Sequence, residues 1–345
     1  MKRCIRCHAA LLPTLGLFLA VTAHASTYCV HNGAELGLAL ADVSDGGIAN
    51  AHDNTILLAS GTFATAGGPF TFNSSSGFAL MIEGGYDSSC NTQDMTPGLS
   101  QLDGGGTSQV INFQTNGNIG VRHVTIQHAY KVGSAGGGGQ IYLNNAAAVA
   151  VFADNQVIDN TDTFGTGGLT VFGVGTVTIA ANLFAGNSAP AASALSTSMA
   201  AGSIIYLVNN TIAGNTNTSG GNMITALGGT NAGGYASNNI SYGNTNGDDF
   251  YLYSFQTFEF HNNDYHALNG VPTDGSAGNI DLDPKFVGAG DYRLSGASPV
   301  LAGGLTNPVG GLPAVDLDGR AFPSSGRADM GAFEETIFID AFESP

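Results

Sequence analysis

Carboxylates and tyrosines fall within one short aromatic segment, and these are residue types that bind or cleave sugars. Asp248 and Asp249 begin the segment, Tyr251 and Tyr253 follow them, and Glu259 lies near its end. Two carboxyl groups can hydrolyse a glycosidic bond, one as the acid and the other as base or nucleophile. Tyrosine rings combine an apolar face with a hydroxyl group, so they can stack on neutral sugars. The segment therefore predicts a glycan site, with Asp248, Asp249 and Glu259 as catalytic candidates if the protein is an enzyme.

A structural role explains the same segment, and from the sequence alone we favour it. Successive side chains of a strand point to opposite faces, so Tyr251 and Tyr253 share one face and Leu252 lies on the other. An aromatic strand of this kind can cover the C-terminal end of a hydrophobic core. We therefore expect a non-catalytic protein more than an enzyme.

The charge balance excludes several partners. The chain has nine Lys and Arg residues against 26 Asp and Glu residues, which gives a formal net charge of −17. Such a balance repels nucleic acid and anionic lipid. A lyase for acidic polysaccharide needs basic groups, and only Arg122 and Lys131 fall within the repeat region described below. If the protein acts on a glycan, we expect a neutral or weakly charged one.

The sequence predicts no metal centre and no cofactor. The His and Cys residues lack the spacing of a zinc site. Asp281 and Asp283, like Asp316 and Asp318, place two carboxylates two residues apart, but the remaining ligands of a calcium loop are missing. A structural calcium ion at one of these pairs is the alternative.

A six-residue motif recurs in the middle of the chain and indicates a solenoid. The pattern Asn-x-apolar-x-(Gly/Asp)-Asn begins at Asn155, Asn182, Asn210 and Asn239, with a weaker match in the last copy, at intervals of 27, 28 and 29 residues. Periods of about 20–50 residues are typical of stacked repeats. The segments between the motifs are short, β-branched and aromatic, which favours strands over helices.

Equivalent asparagines of such a solenoid lie above one another, about 4.8 Å apart. Their amides can donate and accept along a ladder, whereas a column of aspartates would stack like charges. We therefore predict a structural role for the repeated asparagines rather than a binding role. The predicted ladder residues are Asn155, Asn160, Asn182, Asn187, Asn210, Asn215, Asn239 and Asn244.

The open ends of a solenoid need to be covered. Residues 32–43 predict a short capping helix with Leu36 and Leu40 on one face, because Asn32 and Glu35 form a capping-box-like start. The fold predicted is therefore an all-β, right-handed parallel β-helix with a short N-terminal capping helix and an irregular C-terminal cap.

The N-terminus has the pattern of an export signal. Basic residues are followed by an apolar run, and a small-x-small site precedes Ser26. We predict cleavage near Ala25 and Ser26, and a secreted or cell-surface protein with no membrane-spanning segment in the mature chain.

Two cysteines remain after the predicted cleavage. Cys4 and Cys7 are removed with the signal, whereas Cys29 and Cys90 stay in the mature chain. A lone pair in an exported protein predicts a disulfide, and two separate buried thiols are the alternative.

The chain resembles the right-handed parallel β-helix proteins of bacterial surfaces and secretions. Residues 35–61, with the run 53–63, are similar to the opening of that group, and so are residues 83–87 with Cys90 and residues 102–105. The C-terminal part resembles the choice-of-anchor Q segment, and the matching residues are 283–287, 292–295, 298–299, 316–320 and 329–334. The tail at 337–343 resembles a C-terminal signature of some Gram-negative exported proteins, with Ala341 where that signature has Gly.

This resemblance implies export and a surface or extracellular role, but no particular reaction. We expect an adhesive or glycan-binding scaffold without catalytic activity. The alternatives are a glycoside hydrolase or lyase for a neutral or weakly charged glycan, and a structural surface-layer component. The predicted parts are a signal peptide (1–25), an N-terminal cap (26–50), the β-helix (51–280), the choice-of-anchor Q-like segment (281–335) and a C-terminal tail (336–345).

Overall fold

The computed structural model describes residues 25–133, 136–273, 275–323 and 326–335. The tail, and the predicted signal peptide up to residue 24, lie outside these ranges. Within them no helix is long and apolar enough to cross a bilayer. The helix is α1 (Gly33–Val43), and the strands are β1 (Ser26–Val30), β2 (Asn54–Ala59), β3 (Gly61–Ala64), β4 (Phe70–Ser74), β5 (Leu80–Tyr86), β6 (Ser100–Asp103), β7 (Ile111–Thr115), β8 (Ile119–Arg122), β9 (Thr125–Gln127), β10 (Tyr130–Lys131), β11 (Gly139–Leu143), β12 (Val149–Ala153), β13 (Gln156–Ile158), β14 (Thr161–Asp162), β15 (Leu169–Gly173), β16 (Thr176–Ala180), β17 (Leu183–Ala185), β18 (Ser188–Ala189), β19 (Ala192–Met199), β20 (Ile204–Val208), β21 (Thr211–Ala213), β22 (Thr216–Asn217), β23 (Asn222–Gly228), β24 (Gly233–Ser237), β25 (Ile240–Tyr242), β26 (Asp248–Tyr253), β27 (Thr257–His261), β28 (Leu268–Asn269), β29 (Phe286–Gly288) and β30 (Asp291–Leu294).

The strands wind into a parallel β-helix, which confirms the fold class predicted from the sequence. Each full coil adds one strand to each of three parallel sheets, and some coils add a strand to a fourth, shorter one. Among the strands of the described residues, β29 and β30 pair antiparallel, and isolated antiparallel bridges join Tyr86 to Gln93 and Val315 to Ala321. The sheets are sheet A (β1, β2, β5, β8, β12, β16, β20, β24, β27), sheet B (β3, β6, β9, β13, β17, β21, β25), sheet C (β4, β7, β11, β15, β19, β23, β26, β28) and the short sheet D (β10, β14, β18, β22).

The core is a set of apolar columns that run along the rod. Strand alternation sends every second side chain inward, and the in-register pairing places these side chains above one another. Burying each such side chain contributes about 1.5–3 kcal/mol. One column of sheet A contains Ile56, Ile82, Val121, Phe152, Ile179, Leu207 and Phe260, all at most 1% exposed.

Two columns of amide groups follow the corners on either side of sheet B. In the first, the Asn182 Nδ2 donates to the Asn210 Oδ1 at 2.9 Å and to the Phe152 carbonyl at 2.9 Å. The Asn182 Oδ1 accepts from the backbone and side-chain nitrogens of Asn155. Each interior amide of the ladder is thus fully hydrogen-bonded, and an aspartate at the same position would have no proton to donate. The ladders are Asn155, Asn182, Asn210, Asn239, Asn263 and Asn279, and Asn160, Asn187, Asn215 and Asn244.

The N-terminal end is covered by α1. The Asn32 side chain accepts a hydrogen bond from the Glu35 N–H at 3.0 Å, and Glu35 accepts from the His31 N–H, one residue before the capping-box position. The buried face of α1 includes Leu36 and Leu40.

The predicted disulfide is confirmed. It joins Cys29 in β1 to Cys90 in the loop after β5, with 5.8 Å between the two Cα atoms. The bond ties the first coil to a loop 61 residues later.

The C-terminal residues first complete a partial coil and then return along the side of the rod. We call residues 281–323 and 326–335 the flank segment, because they pack against the corner between sheets A and B. The Asn209 amide donates to the Asp329 carbonyl at 2.9 Å, and the Asn238 amide exchanges two hydrogen bonds with Leu305. Apolar side chains of the segment, such as Met330, pack against Ile240.

Candidate functional site

Strand β26 contributes to the core on one face and to the surface on the other. Phe250 is fully buried and meets the Phe260 ring edge-on, with ring centroids 5.1 Å apart, and Leu252 is 8% exposed. Tyr253 points outward and is 59% exposed, and Tyr251 is half-buried beside it. The strand therefore packs into the last full coil of the core, with β28 paired on its far side, and also presents two tyrosines to solvent.

The two tyrosine rings form a near-parallel pair on a strand that is paired on both sides. Their planes are 17° from parallel, and their centroids are 6.3 Å apart. Parallel pairing places Tyr251 between Thr225 of β23 and Asn269 of β28, and Tyr253 beside Leu227 of β23. We call Tyr251 and Tyr253 the tyrosine shelf.

A first groove opens where β23 and β26 begin. It has a volume of about 600 Å³, and its lining includes Asn217, Asn246, Asp248 and His266. The His266 Nδ1 lies 2.8 Å from the Asp281 carboxylate, which raises the pKa of the histidine. The groove therefore offers the Asp248 carboxylate, the exposed Asn246 amide and an imidazole that is protonated more readily than usual, whereas the Asn217 amide is buried and hydrogen-bonded to neighbouring backbone groups.

A second groove opens where the same two strands end. It has a volume of about 490 Å³, and its lining includes Gly228, Thr230, Asn231, Phe255 and Gln256. It has no charged side chain among its lining residues, and its polar groups are amides and hydroxyls. The tyrosine shelf thus lies between an acidic groove and a neutral one.

The three carboxylates predicted as catalytic candidates do not share a groove. Asp249 is 7% exposed, and its oxygens accept hydrogen bonds from the Ser241 hydroxyl at 2.6 Å and the His266 N–H at 2.8 Å. Glu259 lies in sheet A, where it is 2.9 Å from the His261 Nε2. Asp248 remains as the carboxylate that lines the first groove.

The carboxylate pairs considered for calcium have protein partners. Asp316 accepts backbone hydrogen bonds from Asp318, Arg320 and Glu334, and Asp318 forms an ion pair with Arg293 at 2.7 Å. These contacts hold the turn around residue 317, so hydrogen bonds and an ion pair within the protein account for the position of both carboxylates.

The other pair, Asp281 and Asp283, is engaged as well. Asp281 contacts His266, and Asp283 accepts from the Lys285 N–H at 2.9 Å. Across the described ranges no three His, Cys, Asp or Glu side chains are grouped so that they could hold a metal ion.

One buried carboxylate, that of Asp154, was not predicted from the sequence. Asp154 lies at the corner after β12 beneath the flank segment, with a side chain 1% exposed, and neither of its oxygens has a hydrogen-bond partner among the described residues. Burial raises its pKa to about 7, although Arg122 lies 3.7 Å away. His123 is 3.9 Å from the same carboxylate, but burial lowers its pKa to about 4, so it is neutral at neutral pH.

The sequence feature that could have drawn attention to Asp154 is its position directly before the ladder residue Asn155. The equivalent residues in later coils are Ala181, Asn209 and Asn238, and all of them adopt a left-handed backbone like that of Asp154. The position therefore accepts a neutral side chain, and the carboxylate there is unusual. It contacts no groove large enough for a substrate, since the adjoining cavity measures about 10 Å³.

Comparisons with known proteins add little to the geometry. No family model matches the sequence, and no curated protein matches it. Among solved structures the chain is similar to the pectate lyase Pel9A, with 12% identity over 92% of this chain and 98% of that one and a TM-score of 0.33. The fold assignment rests on the strand pairing described above, and no activity follows from a similarity of this degree.

Proposed function

We propose that the protein is an exported, extracellular or cell-surface β-helix that binds a neutral or weakly charged glycan without cleaving it. The observation that supports the proposal is the tyrosine shelf, which lies on a strand between two polar grooves. Aromatic faces supply apolar contact to a sugar ring, and nearby amides and hydroxyls bond its hydroxyl groups.

The charges around the shelf favour a neutral ligand. No Lys or Arg is among the residues lining either groove, whereas Asp248 lines the first and Asp281 lies beside it. A polyanion would meet like charge at this surface and in the overall net charge of −17.

The carboxylates support binding rather than hydrolysis. Glycosidases hold two carboxyl groups about 5–9.5 Å apart on either side of the scissile bond. Asp249 is buried among hydrogen-bond donors and Glu259 lies in another sheet, so neither can act with Asp248 in the first groove.

Export is supported by the N-terminal sequence pattern and by the disulfide. Disulfides persist in oxidising compartments, and Cys29 and Cys90 are joined. As part of this extracellular role, we also propose that residues 281–335 are a choice-of-anchor Q-like segment.

A glycan array tests the proposal. We expect the purified protein to bind neutral glycans, and Tyr251→Ala with Tyr253→Ala to weaken binding about tenfold per ring, or about 1.4 kcal/mol each. Tyr130→Ala is the matched control, because Tyr130 is 43% exposed in sheet D and lines neither groove.

Three outcomes would contradict the proposal. One is no binding to any glycan of the array, and another is binding that the double substitution leaves unchanged. The third is release of reducing ends from a bound glycan, abolished by Asp248→Asn, which would establish the hydrolase alternative.

A further inference from the structure

The two grooves lie at opposite ends of the same pair of strands. Asp248 lines the first groove and begins β26, whereas Ser254 lines the second and follows the last residue of β26. Asp248 and Ser254 are six residue steps apart along the strand, a span of about 20 Å. The tyrosine shelf lies between the two, so grooves and shelf form one band that crosses the rod.

We infer that this band binds a linear neutral oligosaccharide of about four sugar residues, lying along the strands and at right angles to the rod axis. The inference rests on the proposed function and adds the direction and length of the ligand. The central sugars lie on Tyr251 and Tyr253, and the two ends of the ligand enter the two grooves.

The exposed amides of the grooves are available to the ends of such a ligand. Asn246 in the first groove and Asn231 and Gln256 in the second are exposed. Within the described part of the chain, their side chains make no hydrogen bond to other protein groups. Amides that donate and accept at once are suited to sugar hydroxyls, which do the same.

The outer surface along the rod axis does not offer an equivalent path. The outward residues of sheet C next to the shelf are Thr225 and Leu227, followed by Ser196 and Ser198 in the next coil. The next outward ring on this face is Phe172, three coils from Tyr253, or about 14 Å. A ligand that ran along the axis would reach Phe172 and leave the second groove empty.

A length series of probes tests the direction. The probes are β-1,4-linked glucose, xylose and mannose oligosaccharides from the disaccharide to the hexasaccharide, measured by calorimetry. We expect affinity to rise at least tenfold from disaccharide to tetrasaccharide and to change less than twofold beyond it.

Substitutions at the two ends and along the axis complete the test. We expect Asn246→Ala and Gln256→Ala each to weaken tetrasaccharide binding at least threefold and to leave disaccharide binding unchanged. Phe172→Ala is the matched control and should have no effect on either. Circular dichroism verifies that each variant is folded.

The possible results separate this inference from the proposed function. Binding that depends on the shelf but not on ligand length or on Gln256 refutes the inference and preserves the proposed function. The inference is also refuted if Phe172→Ala weakens tetrasaccharide binding and Gln256→Ala does not. That result would indicate a ligand that lies along the rod axis. Failure of every probe and every arrayed glycan to bind refutes both.

Discussion

Replacing Asp154 should change how the stability of the protein depends on pH. Burial raises the pKa of this carboxyl to about 7 from an ordinary value of 3.8. A group with a higher pKa in the folded chain stabilises the fold fully below its unfolded pKa, and the contribution is lost as the pH rises through the folded pKa. The loss therefore falls between about pH 4 and pH 7.

The size of the effect follows from the shift in pKa. A difference of about three units corresponds to about 4 kcal/mol of unfolding free energy. Asp154→Asn removes the ionisation and keeps the shape of the side chain, and Asn209 and Asn238 already occupy equivalent left-handed positions. We expect the variant to be more stable than the parent by about 2–4 kcal/mol at pH 8, and close to the parent at pH 4.

Urea unfolding followed by circular dichroism at pH 4, 6 and 8 measures the difference. Asp159→Asn is the matched control, because Asp159 also has a left-handed backbone but is exposed. Its unfolding curves should shift with pH in parallel with those of the parent. If Asp154→Asn also follows the parent at every pH, or is less stable at pH 8, the buried charge at Asp154 is not what weakens the fold.

Three further predictions concern the ladder, the disulfide and export. Asn210→Asp should lower the free energy of unfolding by at least about 3 kcal/mol, since a buried carboxylate cannot donate to the Asn239 Oδ1. The exposed control Asn231→Asp should leave the free energy of unfolding unchanged. Equal melting temperatures for the two variants would contradict the structural role of the ladder. Replacing Cys29 and Cys90 by serine should cost about 4 kcal/mol for the loop of 61 residues, measured against the reduced parent, which should match the variant. N-terminal sequencing of the exported protein should begin at Ser26, and an intact N-terminus would contradict the predicted cleavage.

The solenoid was predictable because its period is visible in residue types. Asn155 to Asn239 recur at nearly constant spacing, and the strands between them have strong β-propensity. The ladder continues to Asn263 and Asn279, which the sequence did not reveal, because the steps shorten to 24 and 16 residues. A coil that loses part of its length leaves no period to detect.

The position of the flank segment was not predictable from periodicity. It depends on contacts between residues far apart in the chain, such as Asn209 with Asp329. A local signal was nevertheless present. The doublets Asn209–Asn210 and Asn238–Asn239 each combine one asparagine that binds the flank segment with one that belongs to the ladder.

The arrangement of the aromatic segment was predictable from the sequence only in part. Alternation places Tyr251 and Tyr253 together, but the sequence does not show that the chain turns a corner at Ser254, where the backbone is left-handed. That corner moves Glu259 into sheet A, away from Asp248. The grooves were invisible for the same reason, since they form where loops of successive coils meet.

We expect the flank segment to dock late in folding, because its contacts join residues far apart in the chain. Contacts between neighbouring coils join residues about one coil apart, such as the 27 that separate Asn155 from Asn182, so the rod can wind progressively from its N-terminal end. The contact between Asn209 and Asp329 spans 120 residues, so we expect it to form after the coils have wound. Until then the apolar corner around Val208 and Ile240 remains uncovered, so a chain stopped before the flank segment would be prone to aggregate.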